Sequence, residues 1–166
     1  MGVSACGKSS VGAALAQALA VEFVEGDLLH PPRNVALMAA GTPLTDADRA
    51  GWLARIGDRL AQSHAASQGL VVSCSALKRR YRDGLRAACP GLRFVYLHGP
   101  AALLRQRMAA RAGHYMPPSL LDSQLATLEP PGADELALVL DIGPSTAAVV
   151  AAALAELQAQ GPDTRP

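Results

Sequence analysis

Apolar residues along the chain fall into two alternating patterns: short continuous runs and longer stretches at helical spacing. Over residues 8–20 they recur at Val11, Leu15 and Leu19, which predicts a helix. Residues 21–24 follow as a short strand closed by Gly26. Residues 33–40 read as a brief helix between the Pro31-Pro32 pair and Gly41. Thr45 is placed to cap the next helix, with Asp46 and Asp48 in its first turn, running to about Ser67. Residues 69–74 form an apolar run of the kind buried on both faces of a sheet. Ser75 is expected to open a helix reaching Ala88, residues 92–97 a further buried strand, and residues 100–111 another helix. A proline-rich stretch over 113–131 holds one short helical piece, 119–128. Residues 136–140 and 145–160 complete the pattern as strand and helix. This alternation predicts an α/β domain, a parallel sheet with helices on both faces.

Composition narrows the picture. A length of 166 residues suits one domain, and 50% hydrophobic with 17% charged residues supplies a core and excludes disorder. A net charge of +1 gives no electrostatic case for nucleic acid or a membrane surface as partner, and 4% aromatics argue against a base-stacking platform. No apolar run reaches the ~18 residues of a membrane span, and no signal segment opens the chain. Three widely spaced cysteines point to a reducing cytoplasm rather than a disulfide framework. Of the 15 basic side chains only Lys8 and Lys78 are lysine, which marks both as places where a compact charge is wanted.

Lys8 sits in Gly2-Val3-Ser4-Ala5-Cys6-Gly7-Lys8-Ser9, which fits G-x-x-x-x-G-K-[ST] at every fixed position and leads into a helix through Ser10. Such a loop wraps backbone N–H groups around nucleotide phosphates. Lys8 would reach the β- and γ-phosphates, and the Ser9 hydroxyl would ligate Mg²⁺. A buried strand normally precedes this loop, mid-sheet between the strands placed at 70–74 and 92–97, yet only Met1 precedes Gly2. The expectation is therefore a sheet lacking its first, central strand, with two hydrogen-bonding edges facing a slot, and a Met1 that is internal to a longer natural chain. On the acceptor side, Asp27 follows the strand over 21–24, at the carboxyl edge where open α/β sheets bind ligands, and could accept a hydroxyl proton. Lys78 and Arg82, four apart in the expected 75–88 helix, would share one face near its N-terminus.

Together the segments MGVSACGKSSVG, GDLLHPPRN, GTPLTDADRAGWL, SCSALKRRYRD and GHYMPPSLLDSQLATLEPP closely resemble the gluconate kinases of the nucleoside-monophosphate-kinase-like P-loop class, in the family's order and over nearly the whole chain. The resemblance implies a three-layer P-loop kinase fold in one domain, 1–166, with a mobile lid over about 112–131. It implies transfer of the ATP γ-phosphate to the 6-hydroxyl of D-gluconate, with residues 2–10, Arg107 and Arg111 on ATP and Mg²⁺. Asp27 would orient or deprotonate the hydroxyl, with Glu25 a further acid near the metal. His30, Arg33 and Arg49 would line the acceptor pocket, Lys78 and Arg82 would hold the gluconate carboxylate, and His114 would belong to the lid, from which Arg111 reaches the transferring phosphate. A homodimer is also implied.

The chain departs from the family at Ala5, where glycine is usual and a positive φ would strain alanine, and at Cys6, usually serine, a redox liability beside the phosphates. The third departure is the absent first strand. Two other readings stand beside the leading one: a related small kinase such as a shikimate kinase, and a degenerate nucleotide-binding protein without turnover. Trp52 reads as core or pocket wall, His64 and His98 as structural or surface residues, and Cys74 and Cys89 as small apolar side chains.

Overall fold

The computed structural model describes residues 1–110 and 118–159. Helix α1 (Lys8–Leu19) leads into strand β1 (Glu22–Glu25) and a single 3₁₀ turn, Gly26–Leu29. Helices α2 (Pro32–Ala39) and α3 (Asp46–Ala65) follow, then β2 (Leu70–Ser73), α4 (Arg79–Ala88) and β3 (Val95–His98). Helices α5 (Ala101–Ala109) and α6 (Pro118–Thr127), a 3₁₀ turn Ala133–Glu135, β4 (Leu138–Asp141) and α7 (Thr146–Ala159) complete the described residues. Thr45 caps α3 as its sequence predicts: its hydroxyl accepts from the Asp48 N–H at 3.2 Å, and the Asp48 carboxylate accepts from the Thr45 N–H at 2.9 Å.

Three elements start two or more residues later than the sequence predicts. Helix α4 begins at Arg79 rather than Ser75, because Ala76 adopts a left-handed φ of 43° and Lys78 remains extended as the N-cap. Strand β3 begins at Val95 rather than Leu92, whose N–H instead closes a turn onto the Cys89 carbonyl at 3.1 Å. Strand β4 begins at Leu138, since Leu136 turns left-handed at φ 49° behind the 3₁₀ turn.

The strands pair in parallel as two ribbons, β1 with β2 and β3 with β4, with Val24 opposite Val72 and Leu97 opposite Leu140. Between β2 and β3 runs an apolar cavity of ≈ 330 Å³, lined among others by Leu70, Val72, Phe94 and Val95. This is the slot expected from the sequence. Met1 enters it: its ammonium donates to the Val95 carbonyl, and its own carbonyl accepts from the Leu97 N–H at 3.0 Å. The Gly2 N–H crosses to the Ser75 carbonyl at 3.2 Å. Gly2 has φ 138°, and a Cβ there would lie 2.6 Å from the Leu97 carbonyl oxygen, so only glycine fits.

Two apolar clusters bury the two sheet faces and make the three layers. One gathers Val3, Val11, Leu15, Leu104, Leu121, Leu140 and Val150 from the phosphate loop, α1, α5, α6, β4 and α7. The other packs Trp52, Ile56 and Leu60 of α3 against Cys74, Leu85 and Phe94. A buried ion pair links the two ribbons. Arg82, with no exposed side-chain surface, forks onto Glu135 through Nε at 2.5 Å and an Nη at 2.7 Å. Its other Nη donates to the carbonyls of Ala76, Leu77 and Glu129. Arg86 adds a further hydrogen bond to the same carboxylate at 3.2 Å.

The Arg82 hydrogen bonds are the main cause of a Glu135 pKa lowered from 4.5 to about 2. Between those values the unfolded chain binds the proton and the folded one does not, so this stabilisation is complete above pH 4.5 and drains away as pH falls toward 2. It amounts to about 3 kcal/mol. In Glu135→Gln the urea-unfolding free energy is expected to fall by about 3–5 kcal/mol at pH 7 and to lose most of this acid dependence. Parallel wild-type and variant curves between pH 5 and 2.5 would contradict the assignment.

Candidate active site

The phosphate loop closes onto the N-terminus of α1 without a side-chain cap. Gly7, at φ 91°, is the N-cap, and the first carbonyl of the helix ladder is its own, accepting from the Val11 N–H at 2.9 Å. An uncapped helix N-terminus wrapped by its own loop presents backbone donors and the positive end of the helix dipole, which suits phosphate. Lys8 folds back on the loop, its Nζ donating to the Val3 carbonyl at 3.0 Å. Ser9 and Ser10 are exposed on the first turn. Beside the loop, Gly7, Ser10 and Arg107 share a cleft of ≈ 420 Å³ with Ile142, Pro144 and Thr146. Arg107 is steadied there by donating to the Ile142 carbonyl at 2.7 Å.

On the other side a smaller cleft, ≈ 40 Å³, is lined by Ser4, Lys8, Asp27, His30, Arg49 and Trp52, with Leu77, Ser123 and Gln124 opposite. The turn that presents Asp27 is fixed from both sides. The Gly26 N–H donates to the Ser73 hydroxyl at 3.1 Å, and the Gly26 carbonyl accepts from Trp52 Nε1 at 2.7 Å. A Cβ on Gly26 would lie 2.0 Å from the Ser73 carbonyl oxygen, so β1 and β2 approach too closely for any side chain. Ser73 in turn donates to Glu25, which therefore serves the strand pair.

His30 stacks on Trp52, centroids 4.2 Å apart and planes 14° apart. Burial lowers its pKa, outweighing the attraction of Asp27, so the ring is neutral at pH 7. Asn34 settles the tautomer. Its amide donates to the Asp48 carbonyl at 2.8 Å and lies 3.3 Å from His30 Nδ1. Nδ1 is then the acceptor, and Nε2 carries the proton.

The structure thus brings together Ser4, Lys8, Asp27, His30 and Arg49, and on the far side of the loop Ser10 and Arg107. It does not bring in Arg33, whose side chain is 81% exposed and 3.7 Å from Asp48. Lys78 pairs with Asp46 at 2.9 Å, an exposed carboxylate that also accepts from Tyr81 and Arg80 and is held well below its ordinary pKa by them. Arg82 is consumed by Glu135 and three carbonyls. The shared face expected of Lys78 and Arg82 does not exist, because Lys78 precedes the helix and Arg82 points into the core. Arg111 and His114, with the rest of residues 111–117, lie outside the described residues. Cys6 is 1% exposed and packs in the core, which removes the ready access that a redox liability needs. Ala5 does have the positive φ that its departure from glycine raised, 64°.

Sequence reasoning passed over Gln124, although it stands within the GHYMPPSLLDSQLATLEPP segment: its Oε1 accepts from the Ser4 N–H at 2.7 Å. Trp52 was legible as a pocket wall from its place on an amphipathic helix, whereas its bond to Gly26 was not. Among the described residues no cluster of three or more His, Cys, Asp or Glu side chains could hold a metal by itself, and no helix is long and apolar enough to cross a membrane.

Residues 1–131 match the family model of an AAA domain. The chain is 53% identical to a gluconokinase of Gluconobacter oxydans (strain 621H) over 81% of its own length and 76% of that protein. It is 43% identical to the thermoresistant gluconokinase of Escherichia coli (strain K12), over 93% and 89%. The crystal structure of a gluconokinase from Sinorhizobium meliloti 1021 superposes with a TM-score of 0.88 at 52% identity, covering 96% of this chain and 90% of that one.

A left-handed alanine costs about 1–2 kcal/mol, and glycine in the unfolded chain gives back somewhat less than that. Ala5→Gly is therefore expected to leave stability unchanged or raise it by up to about 1 kcal/mol. Ala13→Gly, at an exposed position in α1, should instead lose about 1 kcal/mol. Thermal unfolding of both variants checks the sign; equal losses would show that Ala5 is not strained.

Proposed function

The chain belongs to the gluconokinases, AAA-domain P-loop kinases that convert D-gluconate to 6-phospho-D-gluconate, and from that premise we propose how its residues divide the work. ATP is the phosphoryl donor. The uncapped start of α1 and its loop support binding of the phosphates over residues 2–10, with Lys8 swinging from the Val3 carbonyl to the β- and γ-phosphates. The cleft beside Arg107, Pro144 and Thr146 suits the nucleoside. Ser9 would hold Mg²⁺, which when bound offsets the charge of the phosphates.

The acceptor occupies the cleft between Asp27 and Gln124. The gluconate 6-hydroxyl oxygen attacks the γ-phosphorus, the bond from that phosphorus to the bridging oxygen breaks, ADP leaves, and the hydroxyl proton passes to the Asp27 carboxylate. Neutral His30 donates from Nε2 to a sugar hydroxyl. Arg49 takes the gluconate carboxylate, because it lines the cleft while Lys78 and Arg82 are committed to Asp46 and Glu135. Three buried free thiols, Cys6, Cys74 and Cys89, support a cytoplasmic setting, and the likeness to the gluconate kinases supports a homodimer.

The observation that carries this reading is the meeting of Lys8 and Asp27 on one cleft, from the phosphate loop and the end of β1. ATP- and gluconate-dependent formation of 6-phosphogluconate tests it. Lys8→Ala and Asp27→Asn should each lower kcat by about 10²–10⁴-fold. An Asp27→Asn enzyme near full rate would remove Asp27 as the base. Arg49→Ala should raise the KM for gluconate about 10–100-fold with little change in that for ATP, whereas Lys78→Ala should change it less than about threefold. The reverse ranking would return the carboxylate to Lys78.

A further inference from the structure

Gln124 reaches from α6 to the phosphate loop, and the hydrogen bond it makes there fixes which way its amide faces. The partner is a backbone N–H, which can only donate, so the atom 2.7 Å from Ser4 N is the carbonyl oxygen Oε1. The two N–H donors of Nε2 are left for the cleft that Gln124 lines with Lys8, Asp27, His30 and Arg49. Helix α6 is braced to hold them there. Leu120 and Leu121 are buried in the same apolar cluster as Val3 and Cys6, and Asp122 pairs with Arg105 of α5 at 2.8 Å. Beyond its last turn Glu129 is strapped to the acceptor side, its N–H on the Leu77 carbonyl at 2.8 Å and its carboxylate on the Arg79 N–H at 2.6 Å.

The geometry points to Gln124 as a substrate-contacting residue: with Oε1 pinned to the phosphate loop, Nε2 donates to the oxygens at the junction of acceptor hydroxyl and transferring phosphoryl group. This rests on the kinase reading above and deepens it. A donor fixed beside Lys8 stabilises charge that develops on those oxygens, and it needs no reorganisation to do so. Because the same amide is bonded to the loop that cradles ATP, it also sets the distance between the two substrates.

Two near-isosteric variants separate donation from mere propping of the loop. Gln124→Glu keeps an acceptor for the Ser4 N–H and loses both donors; Gln124→Met loses acceptor and donors without adding charge. Full-length wild type and both variants are assayed for ATP- and gluconate-dependent 6-phosphogluconate formation, with thermal unfolding as the control for folding. Both variants are expected to lose about 100-fold in kcat while the KM for ATP stays within about threefold. A Gln124→Glu enzyme near wild-type rate beside an impaired Gln124→Met would reduce Gln124 to a prop and overturn the proposal. So would two near-normal variants, or loss in Gln124→Glu alone, which would be charge repulsion. A wild type that turns over no gluconate would strike the kinase reading instead, and a variant that does not fold leaves the other to decide.

Discussion

Arg82 buried against Glu135 is the contact on which the arrangement of the rest depends. The strands form two parallel ribbons, with the backbone of Met1 and Gly2 bonded to Val95 and Leu97 on one side and Ser75 on the other. Arg82 joins the two ribbons through side chains. It sits in the first turn of α4, directly after the β2 crossover, and Glu135 lies three residues before β4. A bidentate guanidinium–carboxylate pair permits little angular play, and three carbonyls share the N–H groups of the other Nη. Such a pair need not beat a well-packed apolar substitute in net energy, yet losing one partner strands a charge in the core. Its contribution here is geometric: it sets the 76–77 crossover, the end of α6 and the approach to β4 relative to one another.

The candidate cleft inherits that geometry. Leu77, one of the carbonyls held by Arg82, also receives the Glu129 N–H, so the wall carrying Gln124 is referenced to the same guanidinium. The opposite wall is built independently, from Gly26 pinned between Ser73 and Trp52 and from His30 stacked on Trp52. One wall is therefore locked into the β1–β2 ribbon and the other into the crossover that joins the ribbons. The phosphate loop lies between them, touching the second through Ser4.

Much of this was legible in the sequence, for reasons that can be named. The phosphate loop announces itself because its chemistry needs particular residues at fixed spacing, and α3 because Thr45 and Asp48 cap it. The slot was legible because a loop of this kind needs a strand before it. What misled was the spacing of Lys78 and Arg82. An interval of four places two side chains on one face only inside a helix, and a left-handed Ala76 delays α4 until Arg79. Nothing local to residues 75–82 signals that delay; the carboxylates that meet Arg79 and Arg82 there, Glu129 and Glu135, lie some fifty residues away. Gln124 was hidden for a related reason, since a glutamine on a helix looks like any solvated residue until the tertiary fold sets it against a backbone N–H.

The two walls of the cleft carry the last step. The Asp27 wall is fixed, because Gly26 tolerates no shift toward Ser73 and Trp52 is buried to 1% exposure. The Gln124 wall is held as firmly: Leu121 is fully buried in the cluster that contains Val3 and Cys6, and Glu129 is strapped to Leu77 and Arg79. Polar groups on two such walls keep their positions without a ligand to organise them, which is the condition under which fixed donors and charges act most strongly. The geometry of the cleft is therefore set by packing on both sides before any charge is met there.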